Sequence, residues 1–473
     1  MTIGSLSDEV LLNIFRIYLE ASPQFWHRLV HICRKWRRIV FAAQQSLQLR
    51  LFCTHGTPVL KTLDCWPALP IVVHYGGAPE DEDDIMAAMK PSDRVSSIGL
   101  TVTSSLLEKL STIERPFSEL EDLDLLSRDS MWPTVPSTFR WGTRLRSLHM
   151  TQLAIPALPE RLSPSTGLVS LQLHNVDVGN CSPDALANAL SGLTQLETLS
   201  LHSLSFTPFR NGLFFFSRSE ERVVLPALTS LKYRGTDEYL GHFVAIIAAP
   251  RLGDIDITFF SPLTMNHSEL GRFIDRIEVQ KSHCQAEILS SEHAISISFT
   301  QPEAPTRLEL QVSCESSSRQ LSYMAQICNG LSAFLVGMEH LRISTTQPFS
   351  RWDYVVHHKW CNLVQLFRGT KWVHVSGDQS TNIVLALNLP RYEVVLPALH
   401  KLCVREPEPR YTPLQEAAVS LIHSRRLRGH IIGVEYERVP IDEIHGIGIT
   451  FVQCQLHHIL STWSRTFFSA DYD

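Results

Sequence analysis

The chain has 473 residues, of which 44% are hydrophobic and 19% charged, with a formal net charge of -6. A chain this long and this apolar can bury a large core, which excludes a wholly disordered or fibrous protein. With 42 Lys and Arg against 48 Asp and Glu, it offers no overall positive field to phosphates, so no nucleic acid is expected as a partner.

The cysteines are scattered from Cys33 to Cys454, with no CxxC pair and no Cys/His cluster at zinc spacing. Reduced, mostly buried thiols are expected, and no metal. Asp8 and Glu9 stand where a secretory signal would carry basic and then apolar residues, so the expected compartment is cytosol or nucleus. The most apolar late stretch, Ile447 to Phe468, contains Gln453, Gln455, His457, His458 and Arg465, too polar to span a bilayer, and no membrane contact is expected. The N-x-S sequons at Asn180 and Asn266 then have no role.

Residues 5–42 predict a small three-helix bundle. Ser5 and Asp8 stand in capping-box register before Val10, Leu11, Ile14, Phe15, Tyr18 and Leu19, which form two adjacent rows at helical spacing. Ser22 before Pro23 predicts a second helix with Trp26, Leu29, Val30 and Cys33 on its apolar side. Trp36, Ile39 and Val40 orient the third helix, so Arg34, Lys35, Arg37 and Arg38 fall on its solvated side. Such a bundle has little core of its own, so its large apolar side chains are expected to be shared with another chain.

Leu6-Ser7-Asp8-Glu9-Val10-Leu11-Leu12-Asn13-Ile14-Phe15, followed by Leu29-Val30-His31-Ile32-Cys33-Arg34-Lys35-Trp36-Arg37, resembles the F-box, with its L-P-x-E-x-L-x-x-I-F opening and later V-C-x-x-W element. Ser7 stands where that family usually has proline. The resemblance implies docking on the adaptor subunit of an SCF-type cullin-RING ubiquitin ligase, and through it on the cullin. Leu6, Leu11, Ile14, Phe15, Leu29, Val30, Cys33 and Trp36 are the implied contacts; the alternative is that most of them hold the bundle together.

Residues 51–68, through Gly56 and Pro58, read as a linker. Ile71 to Tyr75 then predicts a strand, and the acidic run Glu80 to Asp84 a helix N-terminus, where carboxylates suit the macrodipole. From there an LxxLxL-like signature recurs: Val95/Ile98/Leu100, Leu120/Leu123/Leu125, Leu145/Leu148/Met150, Leu168/Leu171/Leu173, Leu196/Leu199/Leu201, Leu228/Leu231/Tyr233 and Leu252/Ile255/Ile257. The spacing, roughly 23 to 32 residues, matches or slightly exceeds a leucine-rich-repeat period. Ile295–Phe299 and Leu308–Val312 predict neighbouring strands without a clear repeat phase, and units resume at Met338/Leu341/Ile343, Val373/Val375 and Leu399/Leu402/Val404. The helix-like Leu414 to Arg428 and then Ile431 to Tyr436 make the last unit.

The expected fold is thus α/β: an F-box-like helical domain over 1–50, a linker over 51–68, a leucine-rich-repeat-like solenoid over 69–440 with a distorted centre, and a C-terminal tail over 441–473. From Trp360 onward the layout also resembles the repeat region of fungal F-box proteins.

No GxGxxG after a strand, Walker loop, GxSxG elbow or HExxH occurs, and no spacing brings an acid/base pair together, so neither catalysis nor a cofactor is expected. On the solvent side of the stacked strands the pattern places His149, His174, His202, Lys232 and Arg234, with His174 and His202 in one column. A polar, partly basic face for an acidic or aromatic target protein is one reading, a metal site another, and ordinary solvated surface a third.

Overall fold

The computed structural model describes residues 6–76, 81–113, 115–129, 131–179, 181–204, 222–260, 263, 268–277, 284–300, 306–314, 317–346, 354–389, 394–406 and 412–438. Ser5, Glu80, the sequon residues Asn180 and Asn266, and the tail 441–473 lie outside the described residues.

Ser7, not Ser5, starts the first helix: its hydroxyl accepts from the Val10 N–H at the head of α1 (Asp8–Ala21), and Asp8 and Glu9 occupy the first turn. A short 3-10 turn over Pro23–Phe25 leads into α2 (Trp26–Val30), and α3 (Arg34–Ala42) follows. Leu11, Phe15, Leu29, Val30 and Val40 close into the interior, and the Trp36 ring lies 4.7 Å from Phe15. Cys33, expected on the apolar side of α2, is instead the exposed N-cap of α3. The basic residues stay on the surface, where Lys35 meets Asp8 and the Leu6 carbonyl, and Arg37 donates to the Val30 carbonyl.

The linker expectation is corrected. β1 (Leu51–Thr54) pairs in parallel with β2 (Ile71–Tyr75), and α4 (Val59–Cys65) connects them, so residues 51–68 are the first repeat unit. Gly56 and Pro58 mark only the turn between β1 and α4. The helical head is joined to this unit rather than tethered to it. Trp26 is 3% exposed, its indole N–H donates to the Arg50 carbonyl at 2.7 Å, and its ring meets Trp66 edge-on at 4.9 Å.

After β2 come α5 (Glu82–Met89), with Glu82, Asp83 and Asp84 in its first turn, β3 (Val95–Val102), α6 (Ser104–Leu110), β4 (Asp122–Ser127), β5 (Ser147–Thr151), α7 (Leu158–Leu162), β6 (Ser170–His174), α8 (Pro183–Ser191) and β7 (Thr198–His202). The short β8 (Val223–Val224) precedes β9 (Ser230–Gly235), α9 (Asp237–Ile246), its own partner β10 (Ile247–Ala248), β11 (Asp254–Phe260) and α10 (Ser268–Asp275). Register explains why the paired leucines recur: Leu123, Leu148, Leu171, Leu199, Leu231 and Ile255 are successive partners across β4 to β11, each buried to within 1%. No strand can bury that side chain alone, so stacking supplies the core unit by unit. The residue after each of β5, β6 and β7 takes a left-handed conformation, Gln152 at φ 57, Asn175 at 52 and Ser203 at 48. Each then donates its N–H to the next unit, to His174, His202 and Arg234 in turn.

The centre departs from this order. β12 (Gln285–Ser290), β13 (Ala294–Thr300) and β14 (Arg307–Ser313) form an antiparallel meander. It is followed by α11 (Ser317–Gly330), α12 (Ser332–Leu335) and β15 (His340–Thr345). The sheet runs β11–β14–β13–β12–β15, with β14 parallel to β11 and β12 parallel to β15. The predicted pairing of Ile295–Phe299 with Leu308–Val312 is present, Ile297 opposite Leu310. Gln320 of α11 donates to the Glu292 and Cys314 carbonyls, tying the helix to both ends of the β13–β14 hairpin.

α13 (Tyr354–Val364), β16 (Trp372–Gly377), α14 (Ser380–Leu387), β17 (Lys401–Glu406), α15 (Thr412–Leu427) and β18 (Gly433–Arg438) complete a 16-stranded sheet among the described residues. Core side chains run without a break from Leu11 to Ile432.

Candidate interaction surfaces

The contacts implied for the head divide sharply. Leu11, Phe15, Leu29 and Val30 are buried in the chain's own core, so a docking partner cannot reach them without opening the bundle. Leu6 and Trp36 are half-buried, while Ile14 and Cys33 are exposed. Beside Ile14 stand two residues that the resemblance did not single out: Val10, Ile14 and Ile17 are 44%, 44% and 68% exposed and follow one another at helical spacing. An aliphatic row of that kind on one helix is uncovered apolar surface, and its period was visible in the sequence.

On the sheet, the inward leucines leave the alternate side chains on the opposite face. One column there runs Asp124, His149, Gln172, Ser200, Lys232, Asp256, Glu309, and a second runs Thr151, His174, His202, Arg234, Thr258. His174 and His202 are column neighbours as expected, their rings stacked at 4.2 Å and 4° apart in plane, and His149 meets His174 edge-on at 5.0 Å from the adjoining column.

Burial holds the His174 imidazole down to about 4 and His202 to about 3, reinforced by neighbouring imidazoles and Arg234, so both are neutral at physiological pH. Their Nε2 atoms both lie 3.2 Å from the Ser200 hydroxyl. The hydroxyl has one proton to donate, so at least one of the two rings must donate its Nε2–H to it. His149 is engaged at both nitrogens, by Asp124 at 3.0 Å and Thr151 at 3.2 Å. Carboxylates do share these columns: Asp124, Asp256 and Glu309 stand in the column of His149 and Lys232. Even so, among the described residues no group of three or more His, Cys, Asp or Glu is placed to hold a metal ion.

The same register alters the charge of the face. Lys232 faces Asp256, and Glu309 follows, its carboxyl raised by burial and paired with Arg307. Ser230 donates to Asp254 at 2.9 Å. Lys232 and Arg234 are therefore the cationic half of a mixed patch rather than a basic face.

Sequence reasoning also passed over Trp372. It is 49% exposed at the start of β16, set between His340 and Lys401 of the flanking strands, with the Lys401 ammonium 5.1 Å above its ring. The signal was its place, one step outside the inward Val373 and Val375.

No helix among the described residues is long and apolar enough to cross a membrane. No protein-family model and no curated protein matches the chain. Among solved structures, the chain is similar to the leucine-rich repeat-containing protein LegL7 from Legionella pneumophila, with 11% identity over 79% of this chain and 97% of that one and a TM-score of 0.25. A likeness that loose carries no argument, and the repeat architecture rests on the strand register above.

Proposed function

We propose that the chain is a substrate-receptor subunit of an SCF-type cullin-RING ubiquitin ligase. Its head docks on the adaptor, and through it the cullin, while the sheet face that carries His149, His174, His202, Lys232 and Arg234 holds a target protein. The chain contributes proximity, and bond chemistry occurs on other subunits. The observation that carries this reading is the exposed row Val10, Ile14 and Ile17, the first two inside the F-box-like opening and the third just after it, with no covering element among the described residues. Aliphatic side chains left in a row on an ordered helix favour burial by a partner.

The test is co-purification of the full chain with the adaptor, beside an Ile14→Glu/Ile17→Glu variant. Both positions are exposed, so the variant should fold normally and lose the adaptor at least a hundredfold, because a carboxylate would be desolvated in the contact. Undiminished adaptor binding by the folded variant would remove the assignment of that row.

A second reading, a repeat scaffold that joins no ligase, is favoured by the Trp26 contacts, which account within the chain for part of the apolar excess of the head. It predicts that the wild-type chain leaves the adaptor unbound.

A further inference from the structure

Three helices end on an arginine that reaches back one repeat unit. Arg161 in the last turn of α7 donates to the Val135 carbonyl at 2.9 Å, and Arg276 just past α10 donates to the Val244 carbonyl at 3.0 Å. Arg425 in the last turn of α15 donates to the Leu396 carbonyl at 3.2 Å and to the Val395 carbonyl. What lies over the guanidinium differs. The Trp141 ring stands 5.6 Å from that of Arg161, and the Phe273 ring 5.7 Å from that of Arg276. Arg425 is the most deeply buried of the three, at 3% exposed, yet among the described residues no ring covers it. It borders a cavity instead, whose wall includes Asn388 and Leu389 at the end of α14, Val394, Ser424 and Arg428.

The charge at this cavity is uncompensated. Burial, and then the like charge of Arg428, lower Arg425 to about 10, so it stays protonated at physiological pH. No carboxylate among the described residues pairs with either arginine. The two carbonyls take only part of the donor capacity of the Arg425 guanidinium. A buried cation without a counter-charge is costly, and an anion at the cavity relieves that cost. We propose that this cavity is an oxyanion site that seats a phosphate group, one oxygen entering against Arg425 and the others facing Arg428 and the Ser424 hydroxyl at the mouth. Its volume of about 10 Å³ is room for one water-sized oxygen, so a bulky ligand is excluded from the interior and the rest of the group stays in solvent. A phosphate, close to doubly charged at neutral pH, matches two guanidinium groups, whereas a carboxylate would leave one uncompensated. The inference does not rest on any role in a ligase.

Calorimetric titration of the full chain with inorganic phosphate at constant ionic strength tests it, beside protection of Arg425 and Arg428 from phenylglyoxal read by mass spectrometry. Saturable binding at one site is expected, with both arginines protected. Arg428→Gln, at an exposed position that leaves the fold intact, should weaken binding about tenfold through the loss of one charge-assisted contact. Arg426→Gln, on the same turn but outside the cavity wall, should leave it unchanged. A glycine-flanked phosphoserine peptide and its unphosphorylated form separate the two sources of such a group. Competition by the phosphorylated form alone assigns the site to a protein-borne phosphate, and phosphate binding without competition assigns it to the free ion; either result supports the site. Binding that never saturates, or that falls equally in Arg426→Gln and Arg428→Gln, would reduce it to diffuse charge and overturn the proposal, leaving Arg425 as a tie between units alone. Acetate bound as tightly as phosphate would overturn the choice of ligand.

Discussion

The run from β3 to β11 and the meander β12–β14 use the sheet in opposite ways. In the first, chain order and strand order coincide, the inward side chain recurs in every unit, and a left-handed corner follows each of β5, β6 and β7. In the second, chain order is reversed: β14 takes the place next to β11, and β12 the place next to β15. Yet the rim of hydrogen bonds is kept on both sides. The Gly253 N–H donates to Thr229, the Arg307 N–H to Gly253, and beyond the meander the Glu339 N–H to Cys284 and the Lys371 N–H to Glu339. A stacked parallel sheet therefore constrains register at each boundary more strongly than it constrains the order in which the chain fills it. The added β13 is accommodated because Ile295, Ile297 and Phe299 point to the same core as the repeated leucines.

The largest effect expected is at matched core positions in the two regions. Leu171→Ala in the regular run and Ile297→Ala in the meander should each cost about 2–5 kcal/mol, since both are fully buried and leave a cavity. Denaturant midpoints that fall for Leu171→Ala and not for Ile297→Ala would mark the meander as an appendage.

Next is the helix layer over the meander. A Cβ on Gly271 of α10 would stand 2.0 Å from the Gly330 carbonyl oxygen at the end of α11, whereas one on Gly241 of α9 meets nothing within 4 Å. Gly271→Ala should destabilise by about 1–3 kcal/mol or more, and Gly241→Ala should stabilise by up to about 1 kcal/mol. Equal melting temperatures for the two variants would contradict the close crossing that seats α10 and α11 over the reversed strands.

A smaller, pH-dependent effect belongs to the histidines of the regular run. His174 and His202 titrate well below the usual histidine value in the folded chain, so below about pH 6.5 the unfolded state takes up protons first and stability falls. The fall should continue down to about pH 4 for His174 and about pH 3 for His202. Comparing denaturation at pH 7.5 and 5.5, the His174→Gln/His202→Gln variant should lose less stability than wild type, and a parallel loss in both proteins would place the acid sensitivity elsewhere.

The smallest is at the charged patch. Lys232→Glu, at an exposed position, should change stability by no more than about 0.5 kcal/mol. Because Asp256 and Glu309 already border Lys232, it should also turn a mixed patch acidic and weaken an acidic target. Unaltered target binding would move the contact along the face, with Trp372 the next position to probe.

Much of the regular run was legible because two inward side chains per strand recur at a fixed spacing, and that pattern has few other solutions. Asp124 lies between Leu123 and Leu125 as His149 lies between Leu148 and Met150, so their pairing could have been read from the repeats. Glu309 could not, because β14 joins β11 out of chain order. β1 was hidden by its four-residue length ahead of Gly56 and Pro58. β12 offers only Ala286 and Ile288 as clear inward apolar residues and carries an exposed Leu289. In the head, helical spacing identified the apolar rows. Which row faces the chain's own core depends on where Trp26 meets Trp66, a contact between residues of different units.

Hydrogen exchange across Gln285–Ser313 tests the continuity of the sheet most directly. If the sheet is continuous from β1 to β18, amides of β12, β13 and β14 should be protected to the same degree as those of β9, β11 and β15 and open together with them. Fast exchange in the meander between two slowly exchanging flanks would show two separate arrays, and the face opposite the inward leucines would then not be a single surface.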